Sequence, residues 1–185
     1  MNKHQLMASL LLISFNSWSF GELPIPNEKT IASQTANITC ASVVPNSSEK
    51  DKIHFVKHWS IYVANQAFAL KYDNIDYQLK QLQVCFSQDG WSQFDRALKK
   101  SGNFDLITKH QLSASTQIIG PVEINHHPSF SSWSAVVPLR IVYQNQTDKI
   151  SQEIDVHLTI NQLSNNRLAV IQIVGKPAQR NLAIN

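Results

Sequence analysis

Histidine, cysteine, serine and the carboxylates are the side chains that bind metals, attack carbonyls and move protons. In this 185-residue chain few of them fall into a pattern that does so. His54 and His58 lie four apart, which places two imidazoles on one face of a helix. The run reads His-Phe-Val-Lys-His, however, and zinc-protease chemistry needs a glutamate directly after the first histidine as general base. Lys57 adds positive charge at the same place, so a solvated helix face is expected there. His126-His127-Pro128 has the character of a turn between strands, with a weak incidental affinity for metal at most. No serine lies in G-x-S-x-G, no two carboxylates stand out as an acid–base couple, and no glycine falls in G-x-G-x-x-G. Trp59, Trp91, Phe94 and Trp133 could line a pocket, but their periodic placement fits core packing better. No catalytic, cofactor-binding or metal-ligating residue is therefore assigned, no cofactor is expected, and the chain is read as not an enzyme.

The elements that must hold these residues follow from the apolar periods. Ile53, Val56, Val63, Ala67 and Leu70 fall three, four or seven apart, widened by Phe55, Trp59 and Tyr62, which predicts an amphipathic helix of about four turns. A second, short helix carries Tyr77, Leu79, Leu82 and Phe86, with Asp76 near its start. A third is capped by Asp89, shows Trp91, Phe94, Ala97 and Leu98 on one face, ends in Lys99-Lys100 and stops at Gly102. After about Gln111 the period becomes two. Ser132–Gln144 puts Trp133, Ala135, Val137, Leu139, Ile141 and Tyr143 on one side, and Ile154, Val156, Leu158 and Ile160 alternate with polar residues. Leu168–Val174 is nearly all apolar, as for a strand covered on both faces, and the short polar links 145–149 and 164–167 suit antiparallel hairpins. Helices first and strands afterwards predict an α+β domain, with N-terminal helices packed on one face of a curved antiparallel sheet.

The chain opens with Lys3, then the apolar run Leu6–Phe15, then Ser19 and Gly21 three and one before a cut at Gly21–Glu22, which is the secretory-signal pattern. Asn16, Ser17 and Ser19 interrupt the run well short of the roughly 20 apolar residues a spanning helix needs. The expected organisation is a cleaved signal over 1–21, an extended polar arm over 22–51, a domain over 52–178 and a tail over 179–185. The mature chain is then exported to the periplasm, with no integral membrane anchor after cleavage. Sixteen basic against thirteen acidic residues give a net charge of +3, too small and too scattered a surplus to suggest nucleic acid as a partner. In an oxidising compartment two cysteines, Cys40 and Cys85, favour a disulfide, the alternative being two buried thiols. Sequons occur at Asn37, Asn46 and Asn145, and such triplets also arise by chance in Asn/Ser-rich chains.

A longer arrangement discriminates better. It runs His58-Trp59-Ser60, Ala67-Phe68-Ala69-Leu70, Tyr77-Gln78-Leu79, Cys85-Phe86-Ser87, Gly90-Trp91, Phe94, Ala97-Leu98 and Ser101, and resumes at Val137-Pro138-Leu139, Val142-Tyr143 and Ala169–Ile173. This order resembles the DotI/IcmL (TraM-like) family of type IVB, Dot/Icm-type, secretion systems, over roughly residues 53–177. The resemblance implies an NTF2-like periplasmic domain, similar to the scaffold component of other type IV systems. It also implies a non-catalytic structural role and partners among other secretion-system proteins or further copies of itself. Family members keep an N-terminal transmembrane helix where this chain shows a removable signal, which implies an accessory or paralogous member. Cys85 stands where an aromatic residue is expected, and Cys40 lies in the arm, outside the region of resemblance. Two other functions are carried beside this one: an NTF2-like small-molecule binder or enzyme, marked by a buried Asp, His or Tyr at a pocket floor, and an exported virulence-associated protein.

Overall fold

A computed structural model describes residues 38–178. The expected signal over 1–21, the first part of the arm with Asn37, and the tail over 179–185 lie outside the described residues. The first helix, α1, is Glu49–Phe68. It starts four residues before Ile53 because Ser48 caps it: the Ser48 hydroxyl accepts from the Asp51 amide at 3.3 Å and donates to the Asp51 carboxylate at 2.7 Å. Val56, Trp59, Val63 and Ala67 are buried as the period requires, while Ile53 is 38% exposed, so the inward stripe begins one turn later than expected.

Helix α2 is Ile75–Gln83 and buries Ile75, Leu79 and Leu82, spaced four and three apart. Tyr77, expected on that stripe, is 65% exposed, because two residues turn a helix by roughly 200°. Helix α3 is Gln88–Lys100. Its cap is Ser87, whose hydroxyl accepts from the Gly90 amide at 3.1 Å, so Asp89, expected to cap, instead sits in the first turn near the positive dipole end. Gly102, at φ 78°, ends this helix as expected and also begins another, α4, Asn103–Lys109, which no apolar period announced.

Five strands follow: β1 Ser113–Ile118, β2 Glu123–His127, β3 Ser132–Gln144, β4 Lys149–Gln162 and β5 Leu168–Pro177. They form an open antiparallel sheet in which β1 and β2 both pair with one edge of β3, and β4 then β5 follow on the other. β1 takes the second half of β3 and β2 the first. Pro138 sits at the join between them. Its carbonyl accepts from the Ile119 amide at 3.1 Å, so the side of the residue that lacks an N–H faces the gap where one partner strand gives way to the next.

The row Trp133, Ala135, Val137, Leu139, Ile141 and Tyr143 is buried throughout, and with Ile154, Val156, Leu158 and Ile160 it forms the floor on which the helices lie. β5 is covered on both faces only at Leu168–Val170, and alternation resumes beyond. Cys85, two residues past the end of α2, is fully buried and forms a disulfide with Cys40 across a Cα–Cα distance of 4.6 Å. The described part of the arm is thus held to the body. Val44 is buried and its amide donates to the Asn166 carbonyl at 2.8 Å, while Val43 bridges to Arg167.

Candidate functional site

The helical layer and the sheet part at one end to leave a cleft of about 290 Å³. Phe68, closing α1, and Phe94 and Leu98 of α3 form its roof, while Ile141, Tyr143 and Ile154 form its floor. Gly175 on β5 lets the roof approach: a Cβ there would stand 3.3 Å from the Phe68 ring and 3.2 Å from Ile154 Cδ1. The polar residues of the lining are Ser101, Asn103, Gln152 and Tyr143; it holds no carboxylate, imidazole, amine or thiol. Burial pushes the Tyr143 hydroxyl above its ordinary value of 10.0, so at neutral pH it is an uncharged hydrogen-bonding group. A general base needs a group that exchanges protons near the working pH, and this wall offers apolar contact area instead. The inward position of Tyr143 was legible in the period of two; the contributions of α4 were not, because that helix is too short to show a period.

The residues singled out for their chemistry do not gather at this cleft. Trp59 and Trp133 are fully buried core residues, as expected, whereas Phe94 lines the cleft and packs against the rings of Phe86 and Trp91. His126 and His127 end strand β2; the turn begins one residue later, at Pro128. His126 stacks on Trp133 with ring centroids 3.8 Å apart, and its Nδ1 lies 2.6 Å from the Glu49 carboxylate, tying the start of α1 to the sheet. His127 reaches the Ser134 hydroxyl at 3.2 Å. His54 and His58 line a separate hollow of about 440 Å³ between α1 and the arm. Burial first, then the neighbouring His54 and Lys57, holds His58 below the usual 6.5. Among the described residues no three metal-binding side chains come together. The Asn145 sequon is spent on structure: its side-chain oxygen accepts from the amides of Thr147 and Asp148 at 2.9 and 2.7 Å, and its Nδ2 donates to the His110 carbonyl at 2.9 Å.

With the geometry in place, comparison with known proteins is informative. The chain matches the DotI/IcmL family, described as an inner-membrane complex component of the type IVb secretion system, over residues 18–177. The chain belongs to this family. The match takes in the arm and Cys40, so the family region is wider than the 53–177 read from the sequence. Solved structures agree with the fold. An IcmL-like type IV secretion system protein from Legionella pneumophila superposes with a TM-score of 0.64 at 20% identity, over 74% of this chain and 97% of that one. The periplasmic domain of DotI gives 0.64 at 23% identity, over 72% and 99% of the two chains. VirB8 of Agrobacterium tumefaciens gives 0.54 at 5% identity, over 74% and 98%. Curated protein sequences yielded no match. The fold is therefore the α+β, NTF2-like body of type IV secretion components, and a structural role fits it. Among the described residues no helix is long and apolar enough to cross a membrane.

Proposed function

We propose that the chain is a periplasmic structural component of a type IVb secretion system, an accessory or paralogous member that works by contact with other secretion proteins or with further copies of itself. The observation that carries this reading is the family match over residues 18–177. It is supported by a cleft whose wall offers apolar surface and neutral hydrogen-bonding groups. The signal pattern of residues 1–21 supports export with cleavage at Gly21–Glu22. The disulfide between Cys40 and Cys85 suits an oxidising compartment.

Cross-linking and affinity isolation from the native host's envelope test the role. Secretion-system proteins or dimers of the chain are expected to co-purify, from a periplasmic fraction whose protein begins at Glu22 by mass spectrometry. Recovery of intact Met1 in the membrane fraction overturns the cleavage and the localisation. Recovery outside the cell with no secretion protein attached favours the exported virulence-associated alternative.

A further inference from the structure

The proposed role leaves the paired histidines of α1 unused, and their geometry is specific. The His54 and His58 ring centroids are 4.4 Å apart, with the planes inclined by 59°. Both rings open on the hollow between α1 and residues 38–47, and Asp51 stands on the same wall. The helix is held rigidly here, since Val56 and Trp59 between and beside the pair are fully buried. The two rings therefore face the hollow from a fixed backbone.

The spacing brings both rings within reach of one ion. A metal sits about 2.0 Å from an imidazole nitrogen, hence about 3.2 Å from the ring centroid. Two rings bound at a right angle then have centroids about 4.5 Å apart, whereas a tetrahedral angle needs about 5.2 Å. The observed 4.4 Å is close enough for both rings to turn a nitrogen onto one ion as adjacent ligands of a tetragonal set. Copper(II) takes that geometry and stands highest among the divalent first-row ions in affinity for nitrogen and oxygen donors. We propose that His54 and His58 form a two-imidazole chelate for Cu(II), with solvent oxygens in the hollow completing the set. The site differs from the HExxH pattern considered in the sequence, because it needs no general base beside the two ligands.

The test is a Cu(II) titration of the untagged chain, followed by calorimetry and by electron paramagnetic resonance. One copper per chain is expected, with a tetragonal spectrum split by two imidazole nitrogens. His54→Ala and His58→Ala should each weaken binding by roughly 100-fold, at or beyond the upper end of what outer-shell changes do. The double variant His126→Ala/His127→Ala should leave the affinity unchanged. His54 is exposed, so its variant keeps the fold and isolates the ligand effect. Binding that survives in His54→Ala, a spectrum lacking two imidazole nitrogens, or copper lost on gel filtration at equimolar loading overturns the proposal. None of these outcomes depends on the secretion role.

Discussion

Cutting the link between Cys40 and Cys85 gives the most direct measure of what holds the arm to the body. The bond closes a loop with a sequence separation of 45 residues. Loop-closure entropy for that length amounts to about 13 cal/mol/K, or about 4 kcal/mol at 25 °C, acting by restricting the unfolded chain. The remaining attachments of the arm are modest: the Val44 amide to the Asn166 carbonyl at 2.8 Å, and a long contact of 3.4 Å from the Arg167 guanidinium to the Cys40 carbonyl. The first, a neutral hydrogen bond, contributes about 1 kcal/mol, and the second is stretched to 3.4 Å, so the covalent link dominates. Cys40→Ser should therefore lower the stability by about 4 kcal/mol. With a urea m-value of about 2 kcal/mol/M this moves the midpoint down by about 2 M, and the melting temperature falls by roughly 10 °C. Equilibrium unfolding followed by tryptophan fluorescence reads both. Wild-type protein unfolded under reducing conditions should coincide with Cys40→Ser, since each lacks only the link. A loss under about 1 kcal/mol in the variant, or a reduced wild type as stable as the oxidised one, refutes the account. So does quantitative alkylation of both cysteines in protein unfolded without reductant.

Gly90→Ala should destabilise by about 2 kcal/mol or more, although alanine is the better helix former by about 1 kcal/mol. The new Cβ would stand 2.9 Å from the Ile171 carbonyl oxygen and closer still to that of Val170, and backbone of β5 cannot give way as a side chain can; chemical denaturation of the variant checks it. Ser87→Ala removes the cap of α3 and should cost about 1 kcal/mol in the same assay, with Ser87→Gly costing only a few tenths. Tyr143 has a folded-state pKa raised above the ordinary 10.0, so its contribution is present below that pH and is lost as pH rises through the folded value. The stability of Tyr143→Phe should accordingly fall less steeply above about pH 10 than that of wild type. Parallel slopes for the two proteins would show that burial does not disfavour ionisation of this hydroxyl.

Much of the fold was legible because its signals are local and repeated. The inward row from Trp133 to Tyr143 and its counterpart from Ile154 to Ile160 were read from alternation, and both rows are buried. The ends of elements were harder. Ser48 and Ser87 cap their helices from just outside the apolar stripes, where any of several polar residues could serve. A seven-residue helix such as α4 completes too few turns for a period to emerge. Tyr77 looked like a core residue by type, and only its angular position on α2 turned it outward. The candidate cleft was the least legible part, since its wall is drawn from α1, α3, α4, β3, β4 and β5, which approach one another only after packing.

Periodicity, the order of helices before strands and the spaced motifs determined the fold class and the family without any coordinates, because each is a property of neighbours along the chain. Tertiary structure decided the rest. It brought Cys40 onto Cys85, stacked His126 on Trp133 with Glu49 at its Nδ1, and set Tyr143 in the lining of a cleft. Cys40 and Cys85, and His126 and Glu49, lie tens of positions apart, and such partners are chosen by the mutual burial of whole helices and strands. No local pattern records that choice.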